Sequence, residues 1–588
     1  MAFRKFLNPR RASGLGVLLA ALSFGCPSPA PPKGPRSLLA EKPDGSRSQV
    51  DVIRIGDESR EALTSSQSWT VAFPRRAILT FGVGARFEGA GEPPGWGRFL
   101  VALDGRELAK ETVNPRASHD WKDVTVELDS PPLRGVLSVS IRCTDKDGRD
   151  LPQPKELRFA VSDPVLHDRA AYGLKRGVIL ISIDTLRRDH VGAYGYPKPT
   201  TPTLDALGKG GLLADDAVSV SSWTLPSHLS MLTSTLPGTH GGTDMKQAFN
   251  RSVPSVAELL KAQGVATHAV TSHLYVSQTY GLDAGFDSMN FRQDRLAENV
   301  ANHAMDLVDR FGDRPFLIFL HFYDPHWHYA PPPEVLKLFE TSYAGKLTGN
   351  LKDFQNLRAD QVNSADLDHL LALYDGEIRY ADNEIGRLIA HLKERDVLRG
   401  TLMVVTSDHG EEFLDHGSWE HQKTLYEEVI RVPLLMSGPG VAPRREGQPT
   451  SLLDIAPTIL DFLSVKPAPS MKGVSLLRPV SDSREMYGET DHTLDGTRLS
   501  FLRGGAQSWK AILRSDPAKK DERSSEWYDL AKDPGERTNR PPPESLRASI
   551  EARTKDLATN SRSNAAKKPV ELSPEQKEKL RALGYVGR

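Results

Sequence analysis

The apolar positions of this chain fall into two regimes. Over residues 48–163 they alternate with polar residues in six short runs, at 69–73, 77–81, 98–103, 123–128, 136–141 and 157–161, separated by Gly, Pro and Asp. Period-two alternation broken by turn residues predicts a β-sandwich over 48–165. From about residue 174 the pattern changes. Gly177–Ile183, 315–320 and 402–406 are apolar runs, as in strands buried on both faces, 267–271 reads as a further strand, and helical periodicity intervenes at 253–263, 296–311 and 366–392. This alternation predicts an α/β domain over 174–475, a mixed, mostly parallel sheet flanked by helices. A small β-rich unit follows at 476–540. In the tail, 541–588, residues 541–570 are polar and read as loose, and 571–585 as a short helix with Ser573 as cap and Pro574 in its first turn.

Chemistry collects where the buried runs end. In an open α/β sheet the carboxyl ends of the strands face the ligand site. The first run ends on Asp184; the last ends in Ser-Asp-His, placing Asp408 and His409 at a second strand terminus. Between them, Thr224 precedes Leu229, Met231 and Leu232, spaced for the start of a half-buried helix. There, free backbone N–H groups and the helix dipole favour an anion, so Thr224 is a candidate nucleophile; the alternative is that it only caps the helix. Asp184, Thr224, Asp408 and His409 together offer hard oxygens and one imidazole, a donor set for a divalent cation that also holds the Thr224 alkoxide. The run at 315–320 leads into His321, Asp324, His326 and His328, a dense cluster at another strand end whose alternative is a hydrogen-bonded loop. The charges of the 366–392 helix, Asp375 to Asp382 among them, read as a solvated face.

Composition narrows the class. A length of 588 residues exceeds one core and predicts two to four domains, and a net charge of −1 gives no footing for nucleic acid. Residues 1–26 combine a basic start (Arg4, Lys5, Arg10, Arg11), an apolar segment through Leu22 and then Cys26 after a small residue. This predicts an export signal with a lipobox, hence a periplasmic or cell-surface lipoprotein held to the membrane by its N-terminal anchor; an ordinary cleaved signal or a single anchor helix is the alternative. Residues 27–47 are Pro- and Ser-rich and read as a tether. With Cys26 acylated, Cys143 has no partner for an intramolecular disulfide. Trp69, Trp96 and Trp121 could form a sugar platform on the sandwich, with core packing the competing assignment.

The segments around Asp184, Thr224 and Asp408 resemble the sulfatase family of the alkaline phosphatase superfamily, over roughly 177–539. Thr224-Leu-Pro226-Ser-His228 stands where that family has Cys or Ser, any residue, Pro, any residue, Arg; Leu232-Thr-Ser and His240-Gly241 follow in order. The resemblance implies an alkaline-phosphatase-like fold, a sulfate- or phosphate-ester hydrolase, and a sulfated or phosphorylated glycan, lipid or small-molecule substrate. It also implies that His326 contacts the ester oxygens, with Asp324 and His328 spaced for a second metal. His421, thirteen residues after Asp408, stands where sulfatases carry a sulfate-gripping lysine. Thr224 cannot become formylglycine. Thr224 for Cys, His228 for Arg, His421 for Lys and Thr185 for a second Asp together favour zinc or manganese over calcium and phosphomonoester or phosphodiester cleavage over sulfate. His228 is the expected leaving-group acid. The rivals are a phospho-headgroup transferase of the same fold and an inactive surface glycan-binding protein.

Overall fold

The three apolar runs lie side by side at the centre of the molecule. The computed structural model describes residues 36–38, 50–162 and 164–168 save 75 and 117–119, and 177–582 save 341, 351–352, 354–358, 492–496, 505–507, 516–522 and 563–567. The export signal and most of the tether lie outside the described residues. Among the described residues no helix is long and apolar enough to cross a membrane.

The strands that matter are β1 (Glu58–Leu63), β2 (Arg76–Phe87), β3 (Lys122–Asp129), β4 (Leu157–Ser162), β5 (Gly177–Ile183), β6 (Ala266–Thr271), β7 (Ser288–Phe291), β8 (Phe316–Phe322), β9 (Thr401–Thr406) and β10 (Leu434–Ser437). The helices are α1 (Thr224–Thr233), α2 (Ala297–Phe311), α3 (Ser364–Glu394) and α4 (Glu544–Arg562). Every residue of β5, β8 and β9 is buried, so each strand must be covered on both faces, which a parallel sheet between helices provides. β5 is central, parallel to β8 and β9, with Ser182 opposite His321 on one side and Thr406 on the other. β6 and β7 extend the parallel part and β10 adds an antiparallel strand. The register brings the carboxyl ends of β5, β8 and β9 to one edge, carrying Asp184, the turn after Phe322, and Asp408.

The sandwich is not a separate bead. β7 pairs antiparallel with β1, β1 with β4, β4 with β2 and β2 with β3, so the catalytic sheet runs unbroken into one face of the sandwich. A four-stranded antiparallel sheet forms the other face. The 165/174 boundary read from sequence is thus a change of pattern, not a break in the sheet. β1 escapes the alternation because its sequence ESREAL carries charge where a core strand would be apolar; its Arg60, 5% exposed, is held by Glu58 at 2.9 Å and by Asp123 of β3. Asp123 also receives Arg310 of α2. Removing a carboxylate that holds two guanidinium groups across a junction leaves a buried charge short of its partner. Asp123→Ala is expected to lower stability by about 2–4 kcal/mol, read as a fall in denaturant midpoint, while Thr125→Ala on the same strand changes it little.

Trp69 and Trp121 are 2% and 7% exposed, and Trp121 Nε1 donates to the Glu58 carbonyl, so both take the core-packing assignment weighed against a sugar platform. Two other expectations are corrected. The acids of α3 do not form a solvated face: Asp375 is fully buried and accepts from Tyr196 (2.7 Å) and Lys198 (2.9 Å), and Asp382 accepts from the backbone of Thr203 and Leu204. Those carboxylates tie down the chain that follows β5, a tertiary role invisible to helical periodicity. The 541–570 stretch is not loose throughout, since α4 occupies much of it and Val570 N–H then donates to Lys246 O at 2.9 Å. The closing helix, Pro574–Ala582, starts as expected with a reciprocal Ser573–Gln576 cap.

The C-terminal unit is a four-stranded antiparallel meander, Glu485–Asp491 through Arg523–Asp529. Its Phe501, Ile512 and Tyr528 pack on Val218, Leu425 and Ile430 of the α/β domain.

Candidate active site

Thr224 is the first helical residue of α1, and the N-cap is Trp223, which makes no side-chain capping bond. The hydroxyl is therefore not spent as a cap. It lies 3.4 Å from His409 Nε2. His409 follows Asp408 directly after β9, and its Nδ1 donates to the Gly410 carbonyl at 2.9 Å, which turns the Nε2 lone pair inward. Around that nitrogen stand Asp408 Oδ2 at 3.3 Å and Asp184 Oδ1 at 3.6 Å. Asp184, Asp408 and His409, all fully buried, bring one donor atom each within 4.8 Å of one another, the one such group among the described residues.

These donors fit a divalent cation. Asp184 Oδ1, Asp408 Oδ2 and the Thr185 hydroxyl are buried without a hydrogen-bond partner, a costly arrangement unless a charge sits among them. Thr185 also takes a left-handed backbone, φ 54°, fixed by Tyr374, whose hydroxyl donates to the Thr185 carbonyl at 2.7 Å. Burial drives the Asp408 carboxyl well above the usual range, and the Asp184 charge adds to it. Burial pushes Asp184 the same way, but His321, His326 and His409 outweigh it and hold that carboxylate well below the range. Of two adjacent acids, one is thus kept charged at the expense of the other.

His228 is corrected as the leaving-group acid. Its Nδ1 donates to the Thr224 carbonyl at 2.8 Å, one helical turn back, and its Nε2 accepts from the Ser182 hydroxyl at 3.0 Å. Both nitrogens are occupied beneath Thr224, and burial depresses the ring well below its ordinary value, so His228 is a neutral prop for the first turn of α1. Asp324 is likewise not placed as a metal ligand. Its Oδ1 accepts from the Ala297 N–H at 2.9 Å and so holds the start of α2. His328 is exposed, and neither residue joins the metal cluster.

His326 and His421 do come together, with ring centroids 5.1 Å apart, and His421 lies 4.4 Å from the His409 ring. His326 Nδ1 donates to the Trp327 carbonyl at 2.8 Å, and burial lowers its pKa to about 3. His421 Nδ1 meets Glu411 Oε1 at 3.2 Å; burial works against its proton, but the Glu411 charge prevails and raises the ring above its ordinary value. The pair offers one neutral imidazole and one inclined to be charged.

Sequence reasoning missed two contributors, Ser182, which props His228, and Glu411, which backs His421; His321, flagged in the cluster at the end of β8, has its Nε2 3.2 Å from Asp184 Oδ2. Strand alternation carries the signal for Ser182: it shares a face of the chain with Asp184, and the parallel register sets His321 beside it.

Asp324 supports a further expectation. Burial raises its carboxyl to about 7 against the pull of the Ala297 N–H. A folded-state pKa above the unfolded ~3.9 stabilises the fold fully below that value and loses the contribution as pH rises through 7. Asp324→Asn keeps the acceptor for Ala297 and removes the titration. Between pH 4 and 8 the wild type is expected to lose roughly 2–4 kcal/mol of unfolding free energy that the variant retains, measured by denaturant titration across that window.

A threonine hydroxyl at a helix start lies above two carboxylates and an imidazole at the ends of parallel strands, a donor set that fits a divalent cation. The Sulfatase family model matches residues 176–465. An arylsulfatase of Clostridium perfringens is 24% identical over 444 residues, covering 62% of this chain and 90% of that protein. Human N-sulphoglucosamine sulphohydrolase is 30% identical over 305 residues, covering 47% of this chain and 59% of the human protein. The solved phosphonate monoester hydrolase of Silicibacter pomeroyi shares the fold, with a TM-score of 0.51 at 20% identity over 66% of this chain and 96% of its own. Residues 176–465 are a sulfatase-family domain, and the solved structures share its alkaline-phosphatase-like fold.

Proposed function

We propose that this protein is an exported, metal-dependent hydrolase that cleaves a phosphate ester through a covalent intermediate on Thr224, with sulfate esters the secondary class. The observation that carries the reading is the uncapped Thr224 hydroxyl, 3.4 Å from His409 Nε2, at the edge of the Asp184, Asp408 and His409 cluster. A divalent cation, zinc or manganese by the chemistry of two carboxylates, an imidazole and a hydroxyl, would supply the charge that lowers the hydroxyl pKa.

The chain's own residues do the rest. The first turn of α1 aims its N–H groups and dipole at the anionic ester. Thr224 Oγ attacks phosphorus, the leaving alkoxide departs opposite, and a water then cleaves the threonine ester. His421, with Glu411 behind it, protonates the leaving oxygen in place of His228. His326 lines the facing wall and contacts the transferring group or a second ion. His228 and Ser182 keep the Thr224 turn in place, and His321 orients Asp184.

The substrate class is a phosphorylated or sulfated glycan, lipid or small molecule. The basic start, the apolar run and Cys26 support export and lipid anchoring, to be read by fatty-acid labelling that Cys26→Ala abolishes. The test of the activity is turnover of matched aryl phosphate, diaryl phosphate and aryl sulfate esters by protein loaded with zinc, manganese or calcium. Phosphate-ester turnover with zinc or manganese supports the reading; sulfate turnover with calcium alone contradicts it.

A further inference from the structure

A second concave site lies at the opposite end of the sheet from Thr224. Where the sandwich meets the α/β domain, a cavity of about 350 Å³ opens against the amino ends of β6 and β7, whereas Asp184 and Asp408 stand at the carboxyl ends of β5 and β9. That volume lies in the range of small-molecule sites, roughly 300–1,000 Å³. One wall comes from β2 and β3 of the sandwich, the other from β6, β7 and the last turn of α2.

The lining carries four cations and three carboxylates: Arg60, Lys261, Arg310 and Arg314 face it with Asp123, Asp287 and Asp309, and Lys261 pairs with Asp287 at 3.0 Å. Asp309 is engaged by His391 at 2.8 Å and Arg395 at 2.9 Å, and Glu58, Glu61, Asp306 and Asp313, which complete the arginine and lysine pairs, stand outside the lining. Arg60 and Arg310 share the single carboxylate of Asp123. The backbone is shaped for this arrangement: a Cβ on Gly82 would come within 2.7 Å of the Ser162 hydroxyl and closer still to the Arg60 guanidinium.

Two polar atoms in that lining have no partner. Arg310 Nε is one. The other is Nε2 of His268, a residue 4% exposed, whose ring stacks on Phe311 at 4.1 Å and whose Nδ1 lies 2.8 Å from the Ser288 hydroxyl. In the tautomer in which Ser288 donates to Nδ1, Nε2 carries the proton and both unpartnered atoms are donors, the kind from which an oxyanion accepts. Val124, Val165 and Phe311 supply an apolar surface for the remainder of a ligand.

We propose that this junction cavity binds a small oxyanion, a carboxylate or a tetrahedral sulfate or phosphate group carried on a compact organic body, through Arg310 and His268. Nothing in the ester chemistry at Thr224 uses these residues, and the occupant would contact both the sandwich and the α/β domain.

The test is calorimetric titration of the full metal-loaded chain carrying Thr224→Ala, with sodium benzoate, sulfate and inorganic phosphate as separate probes. At least one is expected to bind saturably. Arg310→Gln should weaken that binding by about tenfold or more, the worth of one charge-assisted hydrogen bond. Because Arg310 also holds Asp123, a second variant is needed: Thr125→Trp, at an exposed position on the rim, breaks no ion pair and fills the opening, and is expected to abolish binding. Binding of benzoate alone identifies a carboxylate site, and of sulfate or phosphate a tetrahedral one. No binding by any probe, or binding undiminished in both variants, overturns the proposal.

Discussion

Thr224→Ala is expected to lower kcat/KM for the best ester substrate by roughly 10³- to 10⁶-fold, the range seen when an attacking nucleophile is removed from an otherwise intact centre. The substitution removes one hydroxyl and little else. Thr224 is not a cap, its backbone stays helical, and its carbonyl still accepts from His228. Asp184, Asp408 and His409 remain, so metal content should be unchanged, which separates loss of the nucleophile from loss of the site. Thr224→Ser restores a hydroxyl without the methyl group and is expected to recover much of the lost rate. An alanine variant that keeps wild-type turnover would mean that water attacks the ester directly and that Thr224 is only part of the wall.

Chelation is expected to have the second large effect, on activity and stability together. Two buried carboxylates with unpaired oxygens lie beside one another, and burial and mutual repulsion act on both. A cation bound at about a hundred times its dissociation constant stabilises the native state by about 2.7 kcal/mol. Stripping it should lower the unfolding temperature and reduce turnover to background, and zinc or manganese should restore both. His409→Ala should weaken metal binding by more than the roughly ten- to hundredfold that loss of an outer supporting group costs. A metal-free protein as stable and active as the loaded one would contradict the assignment of these three residues.

Much of this was legible in the residues. The buried strands announce themselves as apolar runs, and their ends deliver Asp184, Asp408 and His409 to one place because β5 and β9 pair in parallel register. The helix start pointed to Thr224, and the family resemblance pointed to His326 and His421. What sequence could not supply was orientation. Asp324 and His326 are two residues apart in one turn, yet one side chain holds a helix start and the other faces the site. His228 stands in the nucleophile motif, but the helix turns it back beneath Thr224 into contact with Ser182. The junction was hidden for a different reason: β1 carries Glu, Arg and Glu in a strand whose charges are paired across the interface, so hydrophobic alternation never flags it.

The central claim is a covalent step on one hydroxyl, and the most direct measurement is rapid acid quench of metal-loaded enzyme turning over an aryl phosphate ester, followed by mass spectrometry of the peptide that contains Thr224. The account predicts a phosphoryl mass increment on Thr224, present during turnover, moved to the serine in Thr224→Ser and absent in Thr224→Ala. Turnover with no modified residue at that position would contradict it.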